Sequence, residues 1–231
     1  MWMHLRLQVR GTIMTYEQVK KDEAVKVYIA QADLSLKALG YTEHSFAHVT
    51  RVAETAGKIL EELNYPPRTV ELTKIAGFLH DIGNVVNRVD HSQSGALMAF
   101  RILDRMNFPP EEIAVIISAI GNHDEGSGVP VNAVAAALIL ADKSDVRRSR
   151  VRDKKTISFD IHDRVNYSVT GAELQVKEDR TVLELRLEVD TQFGSVMEFF
   201  EIFTVRLLLC KKAAETLGLR FSLVINDQKL L

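Results

Sequence analysis

Cysteine is nearly missing from this chain. Cys210 is its one example in 231 residues, so no internal disulfide can form and a reducing cytoplasm is the expected setting. No apolar run approaches the roughly 20 residues that a bilayer-spanning helix needs, and no membrane partner is expected. The opening segment, Met1 to Met14, carries scattered Arg and Leu but no apolar stretch and no small-residue cleavage site. It reads as a tail or a misassigned start ahead of Met14 and is given no function. An excess of either charge is also missing: 29 Lys and Arg against 31 Asp and Glu leave a net charge of −2. Wholesale binding to nucleic acid or to an anionic membrane is therefore not expected. The chain has no internal repeat, no low-complexity segment, no glycine-rich phosphate loop and no Ser or Cys arrangement suited to nucleophilic catalysis.

What is present is an ordinary globular composition, 46% hydrophobic and 26% charged, enough for a sizeable core. From Val49, the positions Val52, Ala53, Ala56, Ile59, Leu60 and Leu63 recur at helical spacing and form one buried stripe. Thr42 and Glu43 offer a cap and a first-turn acid for that helix. Pro67 and Pro110 suit first helical turns, while Gly40 and Gly121 suit helix ends. Val131 to Val146, rich in Ala, Ile and Leu, should be a central buried helix. About six helices are expected between Thr15 and Arg148.

Beyond that point the pattern changes. Ile157, Phe159 and Ile161 alternate, as do Leu183, Leu185, Leu187 and Val189, which is the period of a half-buried strand. Val165, Tyr167 and Val169 begin another, with Gly171 marking a bulge, and the polar residues 178–180 turn a hairpin. A long apolar stripe from Val196 to Leu217 then predicts a helix ended by Gly218, followed by a last strand through Phe221, Leu223 and Ile225. The expected division is a tail at 1–14, a helical domain at 15–150 and a small α+β subdomain at 151–231. That subdomain should hold about four strands and one long helix.

Certain polar residues sit where an apolar chain would pack best. His80 and Asp81 end an apolar helix, and Asp142 interrupts the run Ala137-Leu138-Ile139-Leu140-Ala141. A buried carboxylate beside an imidazole is costly unless something compensates both. A divalent cation does so, since imidazole nitrogen and carboxylate oxygen are ligands for zinc, iron and manganese. His48, His91 and His123 lie at further helix edges. Any one of them alone is better read as a hydrogen-bonded imidazole, but together they can converge at the centre of a bundle. The join at Lys143 to Lys155, KSDVRRSRVRDKK, holds seven basic residues against two acids. It is either a solvated linker or a phosphate-facing cluster, and its place directly after Asp142 favours the cluster.

The order of these residues resembles the HD-domain phosphohydrolases, whose signature is a His, then His-Asp, then a distant Asp. The matching residues are His48, His80-Asp81 and Asp142 in Leu140-Ala141-Asp142. His91 in His91-Ser92-Gln93-Ser94-Gly95 and His123 in Gly121-Asn122-His123 point to the subset with a dinuclear site. The pattern is similar to bacterial diadenosine tetraphosphate hydrolases and, less closely, to cyclic dinucleotide phosphodiesterases. It departs from them at Asn84, where the phosphodiesterases often carry lysine, at Asp124-Glu125-Gly126, and at Lys143-Ser144-Asp145.

The resemblance implies a mainly α, HD-type helical bundle carrying one or two divalent transition metal ions (Fe, Mn or Zn). His48, His80, Asp81 and Asp142 would hold one ion, and Asp81 would be shared with a second held by His91 and His123. His80 and Asp81 would be catalytic, through a metal-activated water. Apart from the resemblance, Lys143, Arg147 and Arg148 lie within one or two turns of Asp142 and are the natural anchors for substrate phosphate if they face the site. The substrate would be a small phosphorylated molecule, a nucleotide first, cleaved at an ester or an anhydride. A non-catalytic nucleotide sensor and an RNA-docking module are the rival readings, and a homodimer stays open. His44 is expected to be a surface or supporting residue, and His162 to have no role.

Overall fold

Residues 14–177 and 179–231 are described by a computed structural model. The tail expected at 1–14 lies outside them except for Met14, whose carbonyl accepts from Arg68 Nη1 at 2.8 Å. Thr15 opens the first helix with a reciprocal cap: its hydroxyl accepts from Gln18 N, and the Gln18 side chain accepts from Thr15 N.

Seven α-helices occupy the stretch in which about six were expected: α1 (Tyr16–Lys21), α2 (Glu23–Ala38), α3 (Phe46–Glu62), α4 (Pro67–Leu79), α5 (His91–Arg105), α6 (Pro110–Gly121) and α7 (Ala133–Ser144). The extended backbone of Asp22 separates α1 from α2, and its carboxylate caps the second by accepting from Val25 N. Pro67 and Pro110 open α4 and α6, where a missing N–H costs nothing. α7 is buried from Val134 through Ala141 and forms the axis of the bundle, with α3, α4 and α6 packed around it. The cap of α3 differs from expectation. Ser45, not Thr42, is the N-cap, and Glu43 lies outside the helix, accepting from Ser45 N at 2.8 Å.

The C-terminal part holds the expected four strands and long helix, with one reassignment. Residues Lys154–Ser158 form a 3-10 turn, and Ile161–Ser168 are a helix, α8. The alternation at Ile157, Phe159 and Ile161 was too short to distinguish a strand from a helix start. Asp160 decides it by accepting from His162 N and Asp163 N as an N-cap. Val165 and Tyr167 are therefore helical, and β1 (Val169–Val176) begins only at Val169. Its register against β2 (Val182–Val189) slips between Val169 and Gly171, the site of the expected bulge. α9 (Val196–Thr216) carries the chain to β3 (Arg220–Ile225), which pairs parallel with β2, and β4 (Gln228–Lys229) completes the sheet order β1-β2-β3-β4. A parallel neighbour needs a long crossover, and α9 supplies it. α9 also packs on α7, and one continuous apolar core runs from Tyr16 to Ile225. Among the described residues no helix is long and apolar enough to cross a membrane.

Candidate metal centre

Two glycines set the spacing of the helices that carry the site. A methyl group at Gly77 would stand 2.7 Å from Ala53 Cα, so only glycine lets α4 lie this close to α3. That contact brings His48, in the first turn of α3, towards His80 at the end of α4. At Gly83 a methyl group would run into the His91 carbonyl and would stand 2.6 Å from Ser94 Oγ. This approach seats the start of α5, with His91, against the one-turn 3-10 segment Ile82–Val85 that follows Asp81. His123 leaves the end of α6, and Asp142 faces inward from the last turns of α7.

All six expected ligands come together. His48 Nε2 lies 3.6 Å from Asp81 Oδ2 and 3.4 Å from Asp142 Oδ1. His80 Nε2 lies 3.4 Å and 3.6 Å from the same two oxygens. The other oxygen of Asp81, Oδ1, lies 3.5 Å from His91 Nε2 and 3.9 Å from His123 Nε2. Asp81 therefore stands between two donor clusters, one oxygen towards each. Two donor groups, His48-His80-Asp142 and His80-Asp81-His123, each have their ligand atoms within 4.8 Å of one another.

The hydrogen bonds assign the imidazole nitrogens. His80 Nδ1 donates to Gly77 O at 2.7 Å, His91 Nδ1 to Arg88 O at 3.0 Å and His123 Nδ1 to Ile120 O at 2.6 Å. His48 Nδ1 meets the carboxylate of Asp145 at 2.7 Å. With every Nδ1 so engaged, every Nε2 is the nitrogen turned to the centre and the one left to ligate, His80 after losing the proton that its carboxylate neighbours favour. His48 Nε2 and His80 Nε2 are buried and find no hydrogen-bond partner among the described residues. His91 Nε2 and His123 Nε2 face each other at 3.2 Å. Buried imidazole nitrogens without hydrogen-bond partners, converging with two carboxylates, are unfavourable on their own and fit a divalent cation well.

The electrostatics agree. Burial favours a neutral Asp142, yet Lys143 Nζ at 2.7 Å and the His48 and His80 rings hold its carboxyl well below the usual range. Burial likewise opposes the charge of Asp81, which His80 keeps ionised. On His80, burial is outweighed by Asp81 and Asp142, and its pKa rises to about 10 in the metal-free protein. His123 is pushed down to about 3 by burial, by His80 and by Lys143. His91 is lowered mainly by burial, with Arg88 adding to it against Asp81.

A cavity of about 490 Å³ opens onto this centre, reached by Asp81, His91, His123 and Asp142. Its cations are Arg88, Lys143, Arg150 and Arg206. Of the three residues expected to bind phosphate, Lys143 lines the cavity. Arg147 and Arg148 do not: Arg147 binds Asp145 and Glu43, and Arg148 binds Tyr167 O and Asp190 while lying over the Tyr167 and Phe193 rings. Charge density drew attention to the right segment, but the short turn after α7 points its first two arginines at carboxylates of the scaffold.

Three features escaped the sequence, and His44, expected as a surface or supporting residue, stands at the cavity wall. Asp145 supports His48 from behind; the signal was a second aspartate one turn after Asp142. His44, half-buried at the cavity wall, donates from Nδ1 to Thr42 O at 2.7 Å. The start of α8, which contributes Asp160, His162 and Asp163 to the wall, was hidden by its reading as a strand. Arg206 enters from α9, remote in sequence, and binds Glu125 at 3.0 Å.

This fold and donor set define a helical scaffold with a candidate metal site. Residues 45–164, just over half of the chain, match the HD domain family model, and the chain belongs to that family. It is 27% identical over 215 residues to an uncharacterized protein of Methanocaldococcus jannaschii, covering 82% of this chain and 80% of that one. It is also similar to the crystal structure of a predicted HD superfamily hydrolase from an uncultured Thermotogales bacterium. That match has 24% identity and a TM-score of 0.42, and covers 54% of this chain and 67% of the other. Membership supports a metal-dependent phosphohydrolase in general and leaves the substrate open.

Proposed function

We propose that the protein hydrolyses a phosphate ester or anhydride of a small phosphorylated molecule, with a nucleotide as the first candidate. The observation that supports this most is the set of Nε2 atoms gathered around Asp81 and Asp142 at the base of an open, cation-lined cavity. A structural metal site closes its ligand sphere, whereas a catalytic one leaves room for water and substrate. His48, His80, Asp81 and Asp142 would hold one ion, and Asp81, His91 and His123 a second. A bound divalent ion would supply Lewis acidity to phosphoryl oxygens and an acidified water as nucleophile.

The chain's own residues do the rest. Asp145 and the backbone carbonyls fix each imidazole in the tautomer that ligates. Lys143, tied to Asp142 and 2.9 Å from Glu125, and the guanidinium group of Arg206 neutralise phosphate charge entering the cavity. The volume lies within the usual ~300–1,000 Å³ of small-ligand sites. It suits a mononucleotide-sized substrate better than complete enclosure of a dinucleoside tetraphosphate.

Chromatographic detection of the products from mononucleotides, dinucleoside polyphosphates and simple phosphomonoesters, with Mn, Fe or Zn added, tests the proposal. Hydrolysis should appear with at least one metal, stop on chelation and be lost in His80→Ala. A protein that binds metal yet cleaves nothing in the panel would return the site to the sensor reading.

A further inference from the structure

The two halves of the centre are not equivalent, and Arg88 makes the difference. On the side of His48 and His80 the imidazole Nε2 atoms lack a hydrogen-bond partner. On the other side, protein donors already hold His91 Nε2 and Asp81 Oδ1. Arg88 Nη1 lies 3.2 Å from His91 Nε2 and 3.4 Å from Asn84 Oδ1, and Asn84 Nδ2 donates to Asp81 Oδ1 at 3.0 Å. His91 Nδ1 donates to the Arg88 carbonyl, so His91 Nε2 is the acceptor and the guanidinium the donor. A guanidinium keeps its charge at any ordinary pH. It thus presents a permanent positive charge to the lone pair that a second cation would use. Its carbon also lies 5.5 Å from the centre of the Tyr41 ring, an exposed aromatic at the rim of the cavity. The side chain is half-buried, with the cavity beside it.

We propose that Arg88 is a displaceable internal cation that competes with the second metal ion for His91. The first ion, at His48, His80 and Asp142, finds no guanidinium or ammonium group on its imidazole nitrogens, and Lys143 meets only the outer oxygen of Asp142, Oδ2, at 2.7 Å. The second must take His91 from Arg88 and share Asp81 Oδ1 with Asn84, and it binds more weakly. Once displaced, the guanidinium turns into the cavity, still tethered at the Tyr41 rim, where it meets an incoming phosphate. Metal occupancy and substrate charge are thereby linked through one side chain. This inference rests on reading the six side chains as a metal centre.

The test uses the full-length protein stripped of metal and titrated with Mn²⁺ alone, followed by calorimetry and by the spin coupling of paired Mn²⁺ ions. Wild type should show a tight and a weak step. Arg88→Met keeps the aliphatic stem but removes donor and charge; it should tighten the second step at least tenfold and leave the first unchanged. Tyr41→Leu, which removes the ring beneath the guanidinium, should move the second step the same way by a smaller factor. Two equal steps in wild type, or an unchanged second step in Arg88→Met, would overturn the competition and leave the metal centre intact. Absence of any tight ion in wild type would overturn the metal-centre reading and this inference together.

Discussion

His48 owes its role to a residue outside the ligand set. Asp145 is 4% exposed and takes its hydrogen bond from His48 Nδ1. Arg147 Nε at 2.9 Å, Arg51 Nε at 3.3 Å and the backbone-bound Arg150 surround its two oxygens. Burial pushes the Asp145 carboxyl up, but the bond to His48, Arg150 and Arg147 together hold it below the ordinary carboxylate range. A carboxylate behind a ligating imidazole fixes the ring and strengthens it as a donor, and losing one costs about 10–100-fold in metal affinity. Asp145→Asn should therefore weaken the tighter Mn²⁺ step by about that factor while His80 keeps its place, as a calorimetric titration would show. An unchanged affinity would reduce Asp145 to a structural anchor. The basic run after Asp142 is explained at this scale too. Arg147 and Arg150 organise Asp145, and Arg152 pairs with Asp33. In sequence they look like a phosphate cluster because a list of charges does not show which acids the fold brings back to them.

At the level of elements, legibility followed the length of the pattern. α3, α7 and α9 carry apolar stripes over three turns or more, and each was placed within a few residues. α8 spans eight residues, and its apolar positions fit two periods equally well until Asp160 is seen capping. The ligands on long helices could be assigned to helix edges, but the contact that brings α3 and α4 together could not, since any glycine in a helix looks alike in sequence. Gly77 and Gly57 make the point testable. At Gly77 an added methyl meets Ala53 backbone, which cannot move without shifting α3. At Gly57 it meets only the flexible stem of Lys74, the closest atom at 2.6 Å. Alanine is a better helix former than glycine by about 1 kcal/mol. Gly77→Ala should therefore destabilise the fold by about 1–3 kcal/mol through overpacking and weaken metal binding, while Gly57→Ala should be neutral or slightly stabilising. Urea melts of both variants decide it, and equal effects would mean that the α3–α4 approach is more pliable than its geometry indicates.

Across the whole molecule, a row of alternating charges joins the C-terminal helix to the metal centre. Arg206 on α9 pairs with Glu125 after α6. Glu125 Oε2 stands 2.9 Å from Lys143 Nζ, which pairs in turn with Asp142 at 2.7 Å. The family match ends at residue 164, before α9 begins, so this link reaches outside the matched region. Burial should raise the pKa of Glu125, but Lys143 and then Arg206 outweigh it and bring it down from 4.5 to about 2. A carboxylate depressed on folding contributes stability above its unfolded pKa and loses it as pH falls through the folded value. The shift of about 2.5 units corresponds to at most about 3 kcal/mol near neutrality, and to roughly 1–2 kcal/mol near pH 3.5. In the metal-free protein, Glu125→Gln should therefore be less stable than wild type at pH 7, by up to that amount, and the gap should narrow by more than about 1 kcal/mol at pH 3.5. Chelation matters here, because protonation of the ligands at low pH would otherwise add the loss of metal to the loss of the ion pair. Parallel urea unfolding curves at the two pH values read the gap directly. A deficit that stays constant with pH would mean that Glu125 acts through shape rather than charge, and that α9 is joined to the metal centre by packing on α7 alone.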